Sequence, residues 1–135
     1  MPNFGKTSTE RLATCHPLLK LLFERVVKGF DCTIVHGYRG ALSQDRLFHE
    51  GKTFKKYPES LHNIEFMDTP QSLAADVAPW PLDWNDLDRF RFFAGYVKGV
   101  ADGLGIEVRW GGDWDGDTQV KDNEFNDLNH FELIL

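Results

Sequence analysis

The stretch "SLAADVAPW", residues 72–80, limits the choice of fold more than any other part of the chain. It is apolar and small-residued, runs into a proline turn, and reads as a strand. Period-2 alternation sets Leu73, Ala75 and Val77 on one face and Ala74, Asp76 and Ala78 on the other. A carboxylate thus stands on an otherwise apolar strand. Burying it ionised is costly unless a cation or hydrogen-bond donors meet it. On these residues alone Asp76 is either a salt-bridged aspartate at a sheet edge or a metal ligand.

The rest of the pattern supplies partners for that strand. Leu12, Cys15, Leu19, Leu22 and Val26 recur at helical steps behind "TSTE", which has the form of a capping box, so one amphipathic helix is predicted over about residues 8–28. "CTIVHGYR" reads as a strand feeding a loop, "ALSQDRLFHEG" as a short helix ended by Gly51, and residues 52–70 as a long loop. Leu87, Phe90, Ala94, Val97, Ala101 and Leu104 trace a second long helix, with Asp83 as its N-cap and Gly105 as its stop. "IEVRW" and "HFELIL" close the chain as strands. The expected fold is α+β: a small, mostly antiparallel sheet packed against two long helices.

Length and charge narrow the function. A chain of 135 residues, 41% hydrophobic, suits one domain with a real core. A net charge of -6 argues against a protein that neutralises phosphates, so no nucleic-acid partner is expected. No apolar run is long enough for a signal peptide or a membrane span, which leads us to expect a soluble cytoplasmic product and a monomer. Cys15 and Cys32 sit in apolar patterns and are expected to be free thiols.

Chemistry is concentrated in the histidines and the acids. His130 opens the last strand, sharing a face with Glu132 and Ile134 while Phe131, Leu133 and Leu135 pack the other. Asp127 precedes it by three residues. His16 and His49 fall on helices and read as ordinary half-buried or surface residues, and His36 lies on the strand leading to Arg39. His62 follows Ser60 in the long loop. Two histidines and one carboxylate would leave a zinc site open for water, as catalysis requires, with Asp127 placed to act as base. "DWDGDTQVKDNE" sets Asp113, Asp115, Asp117 and Glu124 at positions 1, 3, 5 and 12 of a calcium loop, with Thr118 where position 6 normally needs glycine. A solvated acidic loop is the other reading. Of the tryptophans, Trp114 in that loop is the candidate for lining a substrate groove.

Together, "RLATCHPLL", "TIVHGYRG", "SLHN", "SLAADVAPWPLDW", "RWGGDWDGD" and "FNDLNHFEL" resemble the zinc peptidases of the D-alanyl-D-alanine carboxypeptidase and hedgehog type, and among them phage endolysins of the L-alanyl-D-glutamate peptidase kind. The resemblance spans nearly the whole chain and implies one catalytic domain, residues 1–135. It implies zinc on His62, Asp76 and His130, Asp127 as general base, and Arg39 as the cation steadying an oxyanion or a substrate carboxylate. Gln44 and Ser60 match residues with supporting, substrate-side roles. The implied activity is hydrolysis of the L-Ala-D-Glu bond of peptidoglycan stem peptides through a metal-activated water. Such an enzyme waits in the host cytoplasm until lysis and then acts on the cell wall. A D-Ala-D-Ala carboxypeptidase or dipeptidase, and a non-catalytic zinc-stabilised wall-binding module, are the alternatives. The chain departs from the family in one respect: thirteen residues separate His62 from Asp76, more than is usual. The extra "NIEFMDTPQ" is expected to be an excursion that returns the strand to its place, leaving Asp68 as a solvated loop acid; an insert that shifted the geometry would instead make Asp68 compete with Asp76 as the carboxylate ligand.

Overall fold

The first predicted helix is two helices. The computed structural model describes residues 2–119 and 127–135, with α1 at Lys6–Leu12 and α2 at Pro17–Gly29. Pro17 has no amide hydrogen to donate and pushes His16 out of the helical region, so the chain breaks there. His16 then caps α2, its Nδ1 accepting the Leu18 N–H at 3.1 Å. The residues between the helices pair with the chain entering the sheet: the His16 N–H donates to the Ser72 carbonyl at 2.9 Å and the Ser72 N–H to that of Thr14 at 3.0 Å. The apolar stripe crosses the break unaltered, since Leu12, Cys15, Leu19, Leu22 and Val26 are all buried. Nor does "TSTE" cap a helix. α1 starts from Gly5, and Ser8 lies inside it, its hydroxyl accepting the Ile34 N–H at 3.0 Å and so tying α1 to the first strand.

After β1 (Cys32–His36) come α3 (Ala41–His49), a 3-10 turn at Leu61–Asn63, β2 (Glu65–Phe66), β3 (Thr69–Pro70), β4 (Ala74–Pro79), α4 (Leu87–Leu104), β5 (Val108–Gly111) and β6 (Asp127–Leu133). β1, β4, β6 and β5 lie side by side in that order, each antiparallel to its neighbours. One face of this sheet, carrying Ile34, Ala75, Val77, Phe131 and Leu133, is buried in the main core with the apolar faces of α2 and α4. Phe23 of α2 and Phe93 of α4 meet Phe131 edge-on, at 5.6 and 6.1 Å between centroids. This is the expected α+β arrangement. Cys15 and Cys32 are free, and burial pushes both thiols up to about 12.

Several boundaries differ from expectation, and the larger differences have local reasons. α4 starts one turn late because Asp86, not Asp83, accepts from a first-turn amide, that of Arg89 at 3.2 Å. Asp83 accepts from the Asn85 N–H in the preceding turn. The last strand starts at Asp127 rather than His130, because Asp127 pairs with Gly111, and it ends at Leu133, leaving Ile134 and Leu135 exposed. The long loop is partly ordered. Met67 and Asp68 take positive φ of 51° and 62°, the backbone of a tight hairpin turn, and β2 pairs with β3 across it. The Gln71 N–H donates to the Ile64 carbonyl at 3.0 Å and that of Leu73 to Leu61 at 3.1 Å, so the excursion is closed at its base. Asp68 sits exposed at its tip.

Candidate metal centre

The face of the sheet turned away from α2 and α4 carries the polar side chains, and cross-strand pairing decides which of them meet. Antiparallel register sets His36 of β1 opposite Asp76 of β4, and Asp76 opposite His130 of β6. Glu132, two residues on, lies opposite Arg109 of β5. His62 joins from the 3-10 turn, whose N-cap Ser60 accepts the His62 N–H at 3.2 Å while Asn63 accepts back from the Ser60 N–H at 3.0 Å.

His62, Asp76 and His130 are all buried, and their donor atoms form a nearly equilateral triangle. His62 Nε2 is 3.4 Å from His130 Nδ1, and each lies 3.3 Å from Asp76 Oδ1. Ligands at about 2.0–2.1 Å from a tetrahedral ion lie about 3.3–3.4 Å from one another. The three atoms therefore match one face of a metal's coordination tetrahedron, and the group can hold a metal ion.

The atoms pointing away from the triangle are engaged, which fixes how each ligand presents itself. His62 Nδ1–H donates to the Gly37 carbonyl at 2.8 Å, leaving Nε2 as the lone pair. His130 Nε2–H donates to Glu132 at 2.8 Å, leaving Nδ1, and Glu132 in turn accepts from Arg109 at 3.2 Å. Asp76 Oδ2 accepts from Arg39 Nη2 at 2.9 Å and lies 3.1 Å from His36 Nδ1, leaving Oδ1. Position 37 must be glycine, because a Cβ there would run into the Arg11 carbonyl and the Thr14 hydroxyl. Glu132, Arg109 and Gly37 are absent from the sequence-based candidate set. The signal for Glu132 was its place on the His130 face, but its role as a carboxylate acceptor for His130 Nε2 depends on rotamers that spacing does not reveal.

The electrostatics follow from the same contacts. Burial would raise the Asp76 carboxyl, but His62, His130 and His36 outweigh it and hold it well below the usual range. Burial lowers His62, only partly offset by Asp76, so it is neutral. Burial also opposes charge on His130, yet its bonds to Asp76 and Glu132 prevail and raise it to about 9. Without an ion the cluster thus keeps an extra proton on His130, in the place a cation would take. Asp127 lies 3.9 Å from His130 Nδ1, and its carboxyl is raised by burial and by Asp76, partly offset by His130.

A cleft of about 500 Å³ opens onto the triad. Asp127, Ser60 and Trp114 line it, Trp114 with its ring 5.4 Å from that of His130. Arg39 also borders it, but both terminal nitrogens are committed, Nη2 to Asp76 and Nη1 to Gln44 at 3.2 Å, and its Nε is buried without a partner among the described residues. Gln44 is fully buried and does not face the cleft. Its amide donates to the Lys55 carbonyl at 2.6 Å and its oxygen accepts from Arg39 and from Asn63, so it is a brace and not a substrate contact.

Residues 2–134 match the family described as phage L-alanyl-D-glutamate peptidase. The chain belongs to this family. Among relatives of this phage L-alanyl-D-glutamate peptidase family member, the L-alanyl-D-glutamate peptidase of Escherichia phage T5 is 32% identical over 140 residues, spanning 97% of each chain. The peptidoglycan L-alanyl-D-glutamate endopeptidase CwlK of Bacillus subtilis (strain 168) is 29% identical over 139 residues, 88% of this chain and 73% of that one. The fold matches the crystal structure of the Serratia marcescens L-Ala D-Glu endopeptidase ChiX, with a TM-score of 0.74 at 24% identity over 98% of this chain and 90% of that one. In this family member, no described helix is long and apolar enough to cross a membrane.

A second group of acids lies beside the cleft. The carboxylates of Asp113, Asp115 and Asp117 offer oxygens within 4.8 Å of one another. Their visible partners are backbone amides of their own turn: Asp113 Oδ2 accepts from Thr118, and Asp115 from Asp117. Asp113 Oδ1 is buried without a hydrogen-bond partner among the described residues. Glu124 lies outside the described residues.

Proposed function

We propose that the protein is a zinc peptidase that hydrolyses the L-Ala-D-Glu bond of peptidoglycan stem peptides. The observation that carries this reading is the triangle of donor atoms, sized for a tetrahedral ion and with its outward-facing atoms engaged. Two imidazoles, one carboxylate and no thiolate make the donor set of a catalytic zinc rather than a structural one. Zinc held by His62, Asp76 and His130 would supply a Lewis acid for the peptide carbonyl and make a water acidic enough to attack at neutral pH. The chain's own groups do the rest. Asp127, 3.9 Å from His130 Nδ1 and with its carboxyl raised, accepts the proton of the attacking water and delivers it to the leaving nitrogen of the glutamyl residue. Arg39 acts through Asp76, holding its Oδ2 so that Oδ1 faces inward, and Glu132 does the same for His130. Ser60 anchors the turn carrying His62, and Trp114 forms the cleft wall over His130.

The test is mass spectrometry of muropeptides after digestion of purified cell walls. Release of stem peptides beginning with D-Glu, abolished by a chelator and restored by zinc, is the expected result. Loss of a single terminal alanine would instead identify a carboxypeptidase, and no release at all a binding module. Because one chain supplies the whole triad, a monomer suffices; light scattering checks it. The match to a phage family supports the proposed setting, host cytoplasm before lysis and the cell wall afterwards.

We also propose that the acidic loop binds calcium. In its favour are Asp113 Oδ1, without a partner among the described residues, and the positive φ of 70° at Thr118, which makes the sharp turn that glycine normally makes at that place in a calcium loop. Calorimetry on the parent protein and on Asp115→Ala decides it, and absence of calcium binding in the parent ends the idea.

A further inference from the structure

In an L-Ala-D-Glu bond joined onward through the side-chain carboxyl, the glutamyl α-carboxylate sits on the carbon that bears the leaving nitrogen, about 2.5 Å from it. An enzyme that tells this residue from its amide therefore needs a cation inside the catalytic cleft. The acids near the triad, Asp76, Asp127 and Glu132, would otherwise repel the substrate, and the chain as a whole carries a charge of -6.

Among the described residues, three side chains with permanent positive charge line the cleft: Arg39, Lys52 and Lys55. Arg39 is committed to Asp76 and Gln44 and is buried. Lys52 lies 3.7 Å from Glu50. The neighbouring Lys56, which does not line the cleft, sits over the Phe48 ring at 4.9 Å. Lys55 makes no ion pair among the described residues and is exposed. Its backbone, by contrast, is fixed. The Lys55 carbonyl accepts from Gln44 Nε2 at 2.6 Å, and Gln44 Oε1 accepts from the same Arg39 that holds Asp76. The Lys55 carbonyl is thus three hydrogen bonds from Asp76, through Gln44 and Arg39, while its four-carbon stem stays free to reach a ligand.

We infer that Lys55 is the specificity-determining residue that binds the free α-carboxylate of the glutamyl residue on the leaving side of the scissile bond. This rests on the peptidase reading above and names the group that selects its substrate. A carboxylate bound by an ammonium in a partly desolvated cleft gains a charge-assisted hydrogen bond that a neutral carboxamide cannot replace.

The experiment compares two synthetic stem peptides, one with D-glutamate and one with its α-amide, on the zinc-loaded parent and on Lys55→Met, Lys55→Arg and Lys55→Glu. The parent is expected to favour the acid by about tenfold in kcat/KM, chiefly through KM, and to lose that preference as salt is raised. Lys55→Met should bring the ratio close to one, Lys55→Arg should retain it, and Lys55→Glu should invert it, all with unchanged zinc content. A Lys55→Met protein that keeps the parent's ratio, or a parent without preference, overturns the inference while leaving the peptidase reading intact. A parent that cleaves neither peptide strikes the peptidase reading itself, and this inference with it.

Discussion

His62, Asp76 and His130 come from three separate elements and meet with their outward atoms held, whereas Asp113, Asp115 and Asp117 come from five consecutive residues and lean on backbone amides of one turn. The first group is buried and its geometry exists before any ion arrives. In the second, the Asp115 carboxyl is fully solvated and raised: the Asp117 amide favours its charge, but the Asp117 and Asp113 carboxylates crowd it. A preorganised site uses little of an ion's binding energy for ordering the chain, but it depends on the whole fold. A local turn depends on almost nothing else in the molecule, and repulsion among its own acids is what a cation would relieve.

The contrast can be broken most severely at Asp76. Asp76→Ala should abolish metal binding and reduce hydrolysis by more than about a thousandfold. It should also destabilise the protein by roughly 3–5 kcal/mol, because Arg39 is left charged, buried and unpaired. Metal analysis and thermal unfolding check both halves, and a folded, metal-loaded variant would refute the site. Next in size, Asp127→Ala should lower turnover by about a hundred- to ten-thousandfold while the metal stays bound, since Asp127 is set back from the triangle.

A middle-sized effect is expected at Glu132. Glu132→Gln should weaken metal affinity by about 10–100-fold in chelator competition. The same assay sharpens the comparison through pH. His130 in the ion-free protein is raised to about 9, so its proton must leave when a metal enters. Affinity should therefore climb with pH and level off near 9 in the parent, and level off lower in Glu132→Gln. The linked stability has a definite sign: a raised histidine stabilises the ion-free fold below its unfolded value of about 6.5, and that contribution is lost as pH rises through about 9. The smallest effect belongs to the turn. Asp115→Ala should leave ion-free stability essentially unchanged, remove any calcium-dependent rise in Tm, and leave the triad's metal content unchanged.

Sequence and structure agree where the signal is local and periodic, and part where contacts are distant. Alternation in "LAADVAP" correctly separated the face of Ala75 and Val77 from that of Asp76, and the helical stripes marked the core faces of α2 and α4. The same stripe concealed the break at Pro17, because two helices packed on one core keep a common phase; the proline itself was the signal to read. The insertion after His62 was legible as an excursion, and its turn residues explain why it closes on itself. What spacing did not reveal was the hydrogen bonding behind each ligand. That Glu132 holds His130, that Gly37 holds His62 and that Arg39 is spent on Asp76 all depend on side chains meeting across strands, which no stretch of sequence records.

The hairpin of β2 and β3 leaves the chain directly after the turn that carries His62 and is sealed by the rung between Ile64 and Gln71. Its six outer residues can accordingly be exchanged for a foreign segment, such as an affinity tag or a wall-targeting peptide, with both flanking ligands kept in register. A graft there would sit a few residues from the reactive cleft without entering it.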